Sequence, residues 1–212
     1  MSVSLIPALS QRFSLKQFSS QKVSDEDING MTEAARLSVS AFGLQPYRLI
    51  VIDDRDTLNA LAAHTFGQTQ LPSCSHLFIF ANETEITDKT VDAYFDRIYS
   101  QTSAEAGSQA GYADYIKSYY AGQTPEQKVQ VAQQQAFIAL GSLIAEGALR
   151  GVDTCPMTGF SPAGINKALG LTERGLNACV ICAAGYRLED AVVPEKVRVP
   201  ADEFTLRGLE AV

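Results

Sequence analysis

The sequence predicts an α+β fold in one domain over residues 1–212, and three observations carry that prediction. The runs Ser75–Ala81 and Leu176–Tyr186 are continuously apolar, as strands covered on both faces are. Ile28, Met31, Ala34, Ala35 and Leu37 recur at helical spacing. Thr124-Pro125-Glu126-Gln127 opens a long helical run that reaches Arg150. A chain of 212 residues can bury one sizeable core, and 46% hydrophobic with 19% charged residues is an ordinary composition for such a domain. The net charge of −7 argues against nucleic acid or an anionic membrane as a partner.

Taken in order, residues 3–11 read as a short helix. Ser24, with Asp27 three residues on, resembles a capping box and starts a helix over 25–38. Tyr47–Ile52 is a β-rich run and reads as a strand, after which Arg55–Thr65 returns as a helix. Residues 85–122 form a helical excursion carrying six tyrosines, Tyr94, Tyr99, Tyr112, Tyr115, Tyr119 and Tyr120, punctuated by Gly107, Gly111 and Gly122. Packing onto the body accounts for most of these rings; Tyr119 and Tyr120 are the candidates for reaching a substrate. The helix from Pro125 has a Thr N-cap, Pro at its first position and Gln at its third, and stops at Gly151. It spans roughly 40 Å at about 1.5 Å per residue. Its second half, from Ala136 to Ala145, is apolar nearly all round, the pattern of a helix buried on every side. Small residues there (Ala136, Ala139, Gly141, Ser142, Ala145) would admit a second helix, and in a domain of this size all-round burial points to a subunit interface. A strand over 152–155, a short helix from Ser161-Pro162 to Leu169 and the strand Leu176–Tyr186 complete the series. The tail over 201–212 has no core pattern of its own.

Chemistry concentrates near the two ends. In Arg12-Phe13-Ser14-Leu15-Lys16-Gln17-Phe18 an extended backbone puts Arg12, Ser14 and Lys16 on one face. In Pro194-Glu195-Lys196-Val197-Arg198-Val199-Pro200, flanking prolines keep the backbone extended and Lys196 and Arg198 repeat the same spacing. Four cations on two ribbons suit a phosphate, although charge spacing alone is equally met by two solvated surface ribbons. Between them stand the loop Ser38-Val39-Ser40-Ala41-Phe42-Gly43-Leu44-Gln45-Pro46-Tyr47 and the stretch Pro156-Met157-Thr158-Gly159-Phe160. In this order, the Arg-x-Ser-x-Lys, Ser-Gln-Pro-aromatic, Pro-x-x-Gly-Phe and Lys-x-Arg patterns resemble the FMN-dependent nitroreductase family over about residues 12–200.

The resemblance implies a central, mostly antiparallel sheet flanked by helices, and an interlocked homodimer whose C-terminal segments are exchanged, residues 201–212 crossing to the partner. It implies bound FMN, with NADH or NADPH as a transient hydride donor and a nitroaromatic, quinone or similar small molecule as acceptor, in alternating steps. Arg12, Ser14, Lys196 and Arg198 would hold the phosphate, with Phe13 on the same ribbon. Lys16 would lie near the ribityl chain and the N1–C2=O edge of the ring, and Gln45 at its pyrimidine edge. Ser40 and Gly43 would line the pocket from the second subunit, and Pro156, Met157, Thr158 and Gly159 would cover one ring face. Gln70, with Gln68 beside it, stands where the family often has a flavin-holding Lys. Phe13, Gly43, Tyr47 and Thr158 also depart from the commonest pattern, so substrate preference does not carry over. No side chain is implied as catalytic. Specialised reduction of free flavin, enones or azo dyes on the same fold, or flavin binding without turnover, remain open alternatives.

No dinucleotide fingerprint, phosphate-binding P-loop or nucleophile elbow occurs. Two histidines, His64 and His76, without an acidic cluster make a poor metal site. Cys179 and Cys182 lie on one strand, where residues three apart face opposite sides, so these thiols read as buried and structural. The first residues lack the basic start and apolar run of a signal peptide. No stretch approaches the roughly 18 apolar residues of a membrane span, which together predicts a cytoplasmic protein with reduced thiols.

Overall fold

Four antiparallel strands in the order β1-β2-β4-β3 organise the chain: β1 Tyr47–Ile52, β2 His76–Glu83, β3 Asp153–Met157 and β4 Leu176–Gly185. The computed structural model describes residues 4–208, so the last four residues of the predicted 201–212 tail lie outside it. The helices are α1 Leu5–Gln11, α2 Asp25–Arg36, α3 Arg55–Ala62, α4 Gln70–Ser73, α5 Asp88–Gln101, α6 Ala110–Ala121, α7 Pro125–Leu149, α8 Pro162–Leu169 and α9 Ala201–Phe204. The predicted α+β class and antiparallel sheet are both present.

Side-chain alternation gives the sheet two apolar faces. Leu77, Ile79 and Ala81 of β2 with Ile181 and Ala183 of β4 pack against Leu58 and Leu61 of α3, Leu71 of α4 and Ile165 of α8. Phe78, Phe80, Val180, Cys182 and Ala184 point the other way, onto Met31 and Ala35 of α2 and Ala136, Ala139, Leu140 and Leu143 of α7. The excursion closes a third cluster around Val91, Phe95, Ile116 and Tyr120.

Local chemistry sets the ends of α7. The Thr124 hydroxyl accepts from the Gln127 N–H, and the Gln127 amide oxygen accepts from the Thr124 N–H. At the other end Gly151 takes φ +73, and the Val152 N–H reaches the Gly147 carbonyl at 2.8 Å while the Gly151 N–H reaches Ala148 at 3.2 Å. This paired closure is the Schellman arrangement, which only a residue free to adopt left-handed geometry completes cheaply. It turns the chain straight into β3. Among the described residues of the single chain α7 is not covered on every side: Phe137 and Ile138 are 45% and 44% exposed, on one face of the helix.

The thiols also correct a prediction. Register slips between Phe80 and Ala81, which pair with Val180 and Ala178, so Cys179 is the extra residue of a bulge. The bulge turns Cys179 onto the same face as Cys182, and both pack in the cluster under α2 and α7. All four cysteines are free, and burial pushes the Cys179 thiol up to about 11 and Cys74 up to about 12, which keeps these two protonated at neutral pH. Cys179 is only partly buried.

Candidate functional site

Residues 12–18 run from the free edge of β3 toward α4. Leu15 and Phe18 are the anchors, buried against the α3 face of the sheet. Between them the backbone is tied down on alternate sides. The Phe13 N–H donates to Asp153 Oδ1 (3.2 Å), the Thr69 hydroxyl to the Lys16 carbonyl (2.8 Å), and the Phe18 N–H to the Ser73 hydroxyl (3.2 Å). Held this way, Arg12 sends Nη1 to the Thr154 carbonyl (2.9 Å) and the Ser14 hydroxyl (3.2 Å). Lys196 Nζ, from the other end of the chain, donates to the Arg12 carbonyl at 2.6 Å.

The structure thus brings Arg12, Ser14 and Lys196 together. Arg198 joins them electrostatically: partial burial first, then repulsion from Arg12 and Arg198, holds the Lys196 ammonium below the usual lysine range. Among the described residues none of Arg12, Lys16, Lys196 or Arg198 has a carboxylate at ion-pair distance. The nearby carboxylate that acts on Lys196, Asp153, is already forked to Arg187, so the cations outnumber their counter-charge and an anion completes them. At the far end of β3, Pro156, Thr158 and Gly159 are exposed, and the Gln68 side chain donates to the Gly159 carbonyl.

Several predicted residues stand elsewhere. Gln70 is 1% exposed, with its amide against the Cys155 sulfur at 3.6 Å, because α4 turns it into the core; Gln68 is the glutamine at the open edge. The Met157 side chain is likewise buried, as an inward position of β3. Phe13 packs partly against the core, and its N–H is taken by Asp153. Tyr120 is buried at 3% while Tyr119 is 46% exposed. Ala113, Ile116 and Tyr120 form the inward stripe of α6, and Tyr112, Tyr115 and Tyr119 the outward one.

Ser40, Gly43 and Gln45 form a separate group. The Ser40 hydroxyl accepts from the Gln45 N–H (3.2 Å), the Gln45 amide donates to the Arg36 carbonyl (2.7 Å), and the Ala41 N–H donates to the Gln135 side chain (2.8 Å). Phe42 and Gln45 adopt positive φ, 54° and 48°. At Gly43, with φ +76, an added Cβ would meet the Tyr94 hydroxyl at 2.6 Å, so only glycine fits. Phe42 meets Tyr119 edge-on at 5.3 Å. Behind this loop a cavity of about 440 Å³ lies between α2 and β1, lined by Arg36, Arg48 and Arg97 over Leu44, Tyr47 and Leu49.

The two groups occupy opposite corners of the sheet. Thr154 is level with Ala184 on β4, whereas Tyr47, two residues past Gln45, is level with Asn82 and through it with Asn177. Six residues along β2, from His76 to Asn82, and three strand spacings across put them roughly 25 Å apart. Beside Arg12, between α1 and the end of α7, lies a cavity of about 60 Å³. On one chain the two groups are therefore separate.

Two residues at the cation group have no counterpart among the sequence candidates. Asp153 is 3% exposed and holds Arg187 through both carboxylate oxygens. An acid inside the strand expected over 152–155 was the available signal. For Arg187, just beyond β4, there was none.

The nitroreductase family model matches residues 9–186. A provisionally named NAD(P)H nitroreductase of Staphylococcus aureus is 31% identical over 201 residues, covering 90% of this chain and 89% of that one. Among solved structures, a provisionally named nitroreductase of Bacillus subtilis, ydfN, superposes with a TM-score of 0.85 at 21% identity, over 95% of this chain and 97% of the other. Another from Exiguobacterium sibiricum, in complex with FMN, gives 0.83 at 20% identity, over 97% of both chains. The match of the family model across most of the chain, a relative above 30% identity and the shared antiparallel α+β fold place this chain in the nitroreductase family.

Proposed function

We propose that the chain is an FMN-dependent oxidoreductase acting as a homodimer in the cytoplasm, reducing a nitroaromatic, quinone or similar acceptor at the expense of NADH or NADPH. The observation that carries this reading is the group of Arg12, Lys196 and Arg198, with the Ser14 hydroxyl bonded to Arg12 and Lys196 to the Arg12 carbonyl, whose donors fit a phosphate monoester. The relative from Exiguobacterium sibiricum was solved with FMN, the ligand whose phosphate this group would take.

Bound FMN would supply hydride acceptance from the nicotinamide and delivery to the acceptor. The chain's part is to hold and orient. Arg12, Ser14, Lys196 and Arg198 would hold the phosphate. Lys16, on the same exposed ribbon, would set a positive charge beside the ribityl chain and the ring's N1–C2=O edge. Pro156, Thr158 and Gly159 would cover one ring face, and Gln68, bonded to the Gly159 carbonyl, would stand at the flavin edge in place of the buried Gln70. Ser40, Gly43 and Gln45 come from the second subunit, because within one chain they are a sheet diagonal away. Tyr119, outward on α6 and touching Phe42 of that loop, lies toward the acceptor.

Support for the dimer comes from unpartnered apolar residues on three elements: Leu5 and Ile6 on α1, Phe137 and Ile138 on α7, and Val197, Phe204 and Leu206 in the tail. The test is the visible spectrum of the purified protein, anaerobically, before and after NADH or NADPH, beside Arg198→Ala. We expect a flavin band that bleaches with nucleotide and is weaker in the variant. A colourless protein that cannot be reconstituted with FMN refutes the reading, and a flavin that never bleaches replaces it with flavin binding without turnover.

A further inference from the structure

Asp153 and Arg187 form a pair that the flavin-holding residues do not include, yet it encloses one of them. Arg187 Nε donates to Asp153 Oδ2 at 2.8 Å and Nη2 to Oδ1 at 2.9 Å, a two-pronged fork. The same Nη2 donates to the Gln11 carbonyl at 3.2 Å, and Asp153 Oδ1 accepts the Phe13 N–H at 3.2 Å. The pair therefore grips the backbone immediately before and immediately after Arg12. The residue following Asp153, Thr154, offers the carbonyl that receives the Arg12 guanidinium, and the Arg12 carbonyl receives Lys196. The Asp153 side chain is 4% exposed and that of Arg187 39%, so the carboxylate is fixed in the protein and its partner reaches it from the surface.

We propose that the Asp153–Arg187 pair is the positioning device of the phosphate half-site, aiming Arg12 directly and Lys196 through the Arg12 carbonyl. This rests on the FMN reading above. Geometry and charge make opposite demands here, which makes the idea decidable. Asp153 is a negative charge beside an anion site, so by Coulomb's law alone removing it tightens phosphate binding. If its work is to aim Arg12, removing it loosens phosphate binding. Asp153→Asn keeps the shape but turns an amide NH₂ toward one prong of the Arg187 fork, donor against donor, so the fork opens.

The experiment measures affinities of the flavin-free protein for FMN and for riboflavin, which has the same ring without the phosphate, in wild type, Asp153→Asn and Arg187→Lys. We expect Asp153→Asn to weaken FMN about tenfold, the size of one lost charge-assisted hydrogen bond, with riboflavin nearly unchanged. Arg187→Lys, which keeps the charge but not the fork, should show the same selective loss to a smaller extent. Equal loss of both ligands would mean a merely structural pair, and unchanged or tighter FMN would mean a bystander charge; either overturns the proposal. Should Asp153→Asn not fold, Arg187→Lys decides by the same ratio. Wild-type protein that binds neither ligand refutes the FMN reading itself, a result separate from any behaviour of the variants.

Discussion

At Lys196 several effects act on one ammonium group. Partial burial and the Arg12 and Arg198 cations favour its neutral form, and the Asp153 carboxylate works against them. A phosphate dianion in contact would favour the charged form, so binding and protonation are linked. With its pKa below the ordinary lysine value, the empty site loses this proton early as pH rises, and FMN affinity falls earlier than an unperturbed lysine would allow. Lys196→Arg removes that early fall, because a guanidinium stays charged throughout. Titrating FMN from about pH 7 to about pH 10 checks it, since the ordinary lysine pKa is about 10.4. Identical profiles in both proteins would dismiss the linkage. At this scale the sequence was partly legible. Alternation on an extended ribbon was enough to group Arg12 with Ser14, and the prolines around Lys196 and Arg198 marked a second such ribbon. Gln68 and Gln70 could not be told apart, because four residues of α4 are too few to show a period. The bulge at Cys179 leaves no mark in an apolar strand, and it alone reversed the facing of that thiol.

Among the elements, α7 was legible at both ends and not in its middle. Capping chemistry is local, so Thr124, Gln127 and Gly151 set its limits to within a residue. Its facing depends on what lies around it. A helix apolar on all sides tells only that every side is wanted by something, and within one chain Phe137 and Ile138 find nothing. The same holds for α6, where Ala113, Ile116 and Tyr120 repeat at three and four residues and mark the inward stripe, leaving Tyr112, Tyr115 and Tyr119 outside. That phase was present in the sequence; the density of tyrosines hid it. Because Phe137 and Ile138 are nearly half exposed, replacing both by Gln should leave the folded chain within about 0.5 kcal/mol of wild type as a surface change. It should nonetheless shift the protein toward monomer in sedimentation velocity and lower its bound flavin. A variant that stays dimeric with full flavin would take α7 out of the interface.

For the whole molecule, the separation of the two groups governs everything else. The Arg12 group sits at the edge of β3 and the Ser40–Gln45 loop at the opposite corner by β1, roughly 25 Å away on strand spacings alone. No rearrangement of loops closes that distance inside one chain while the sheet keeps its register. In the two-fold dimer proposed above, the cation group of each chain would meet the loop of the other, closing the gap twice over. This predicts complementation between two defective chains. Arg12→Ala with Arg198→Ala removes the cation group, and Ser40→Ala with Gln45→Ala disables the loop. Each variant alone, as a homodimer, has two damaged sites and should retain little flavin. Co-expressed with different tags and purified through both, the mixed dimer has one site built from the two undamaged halves and one from the two damaged ones. It should bind about half the FMN of the wild-type dimer, as isologous pairing requires. If each site belonged to a single chain, every site in the mixed dimer would carry a defect and its flavin content would stay at the level of the separate variants. Recovery to about half is thus the signature of a shared site, and its absence would return the Ser40–Gln45 loop to a purely structural role beside Tyr94 and Gln135.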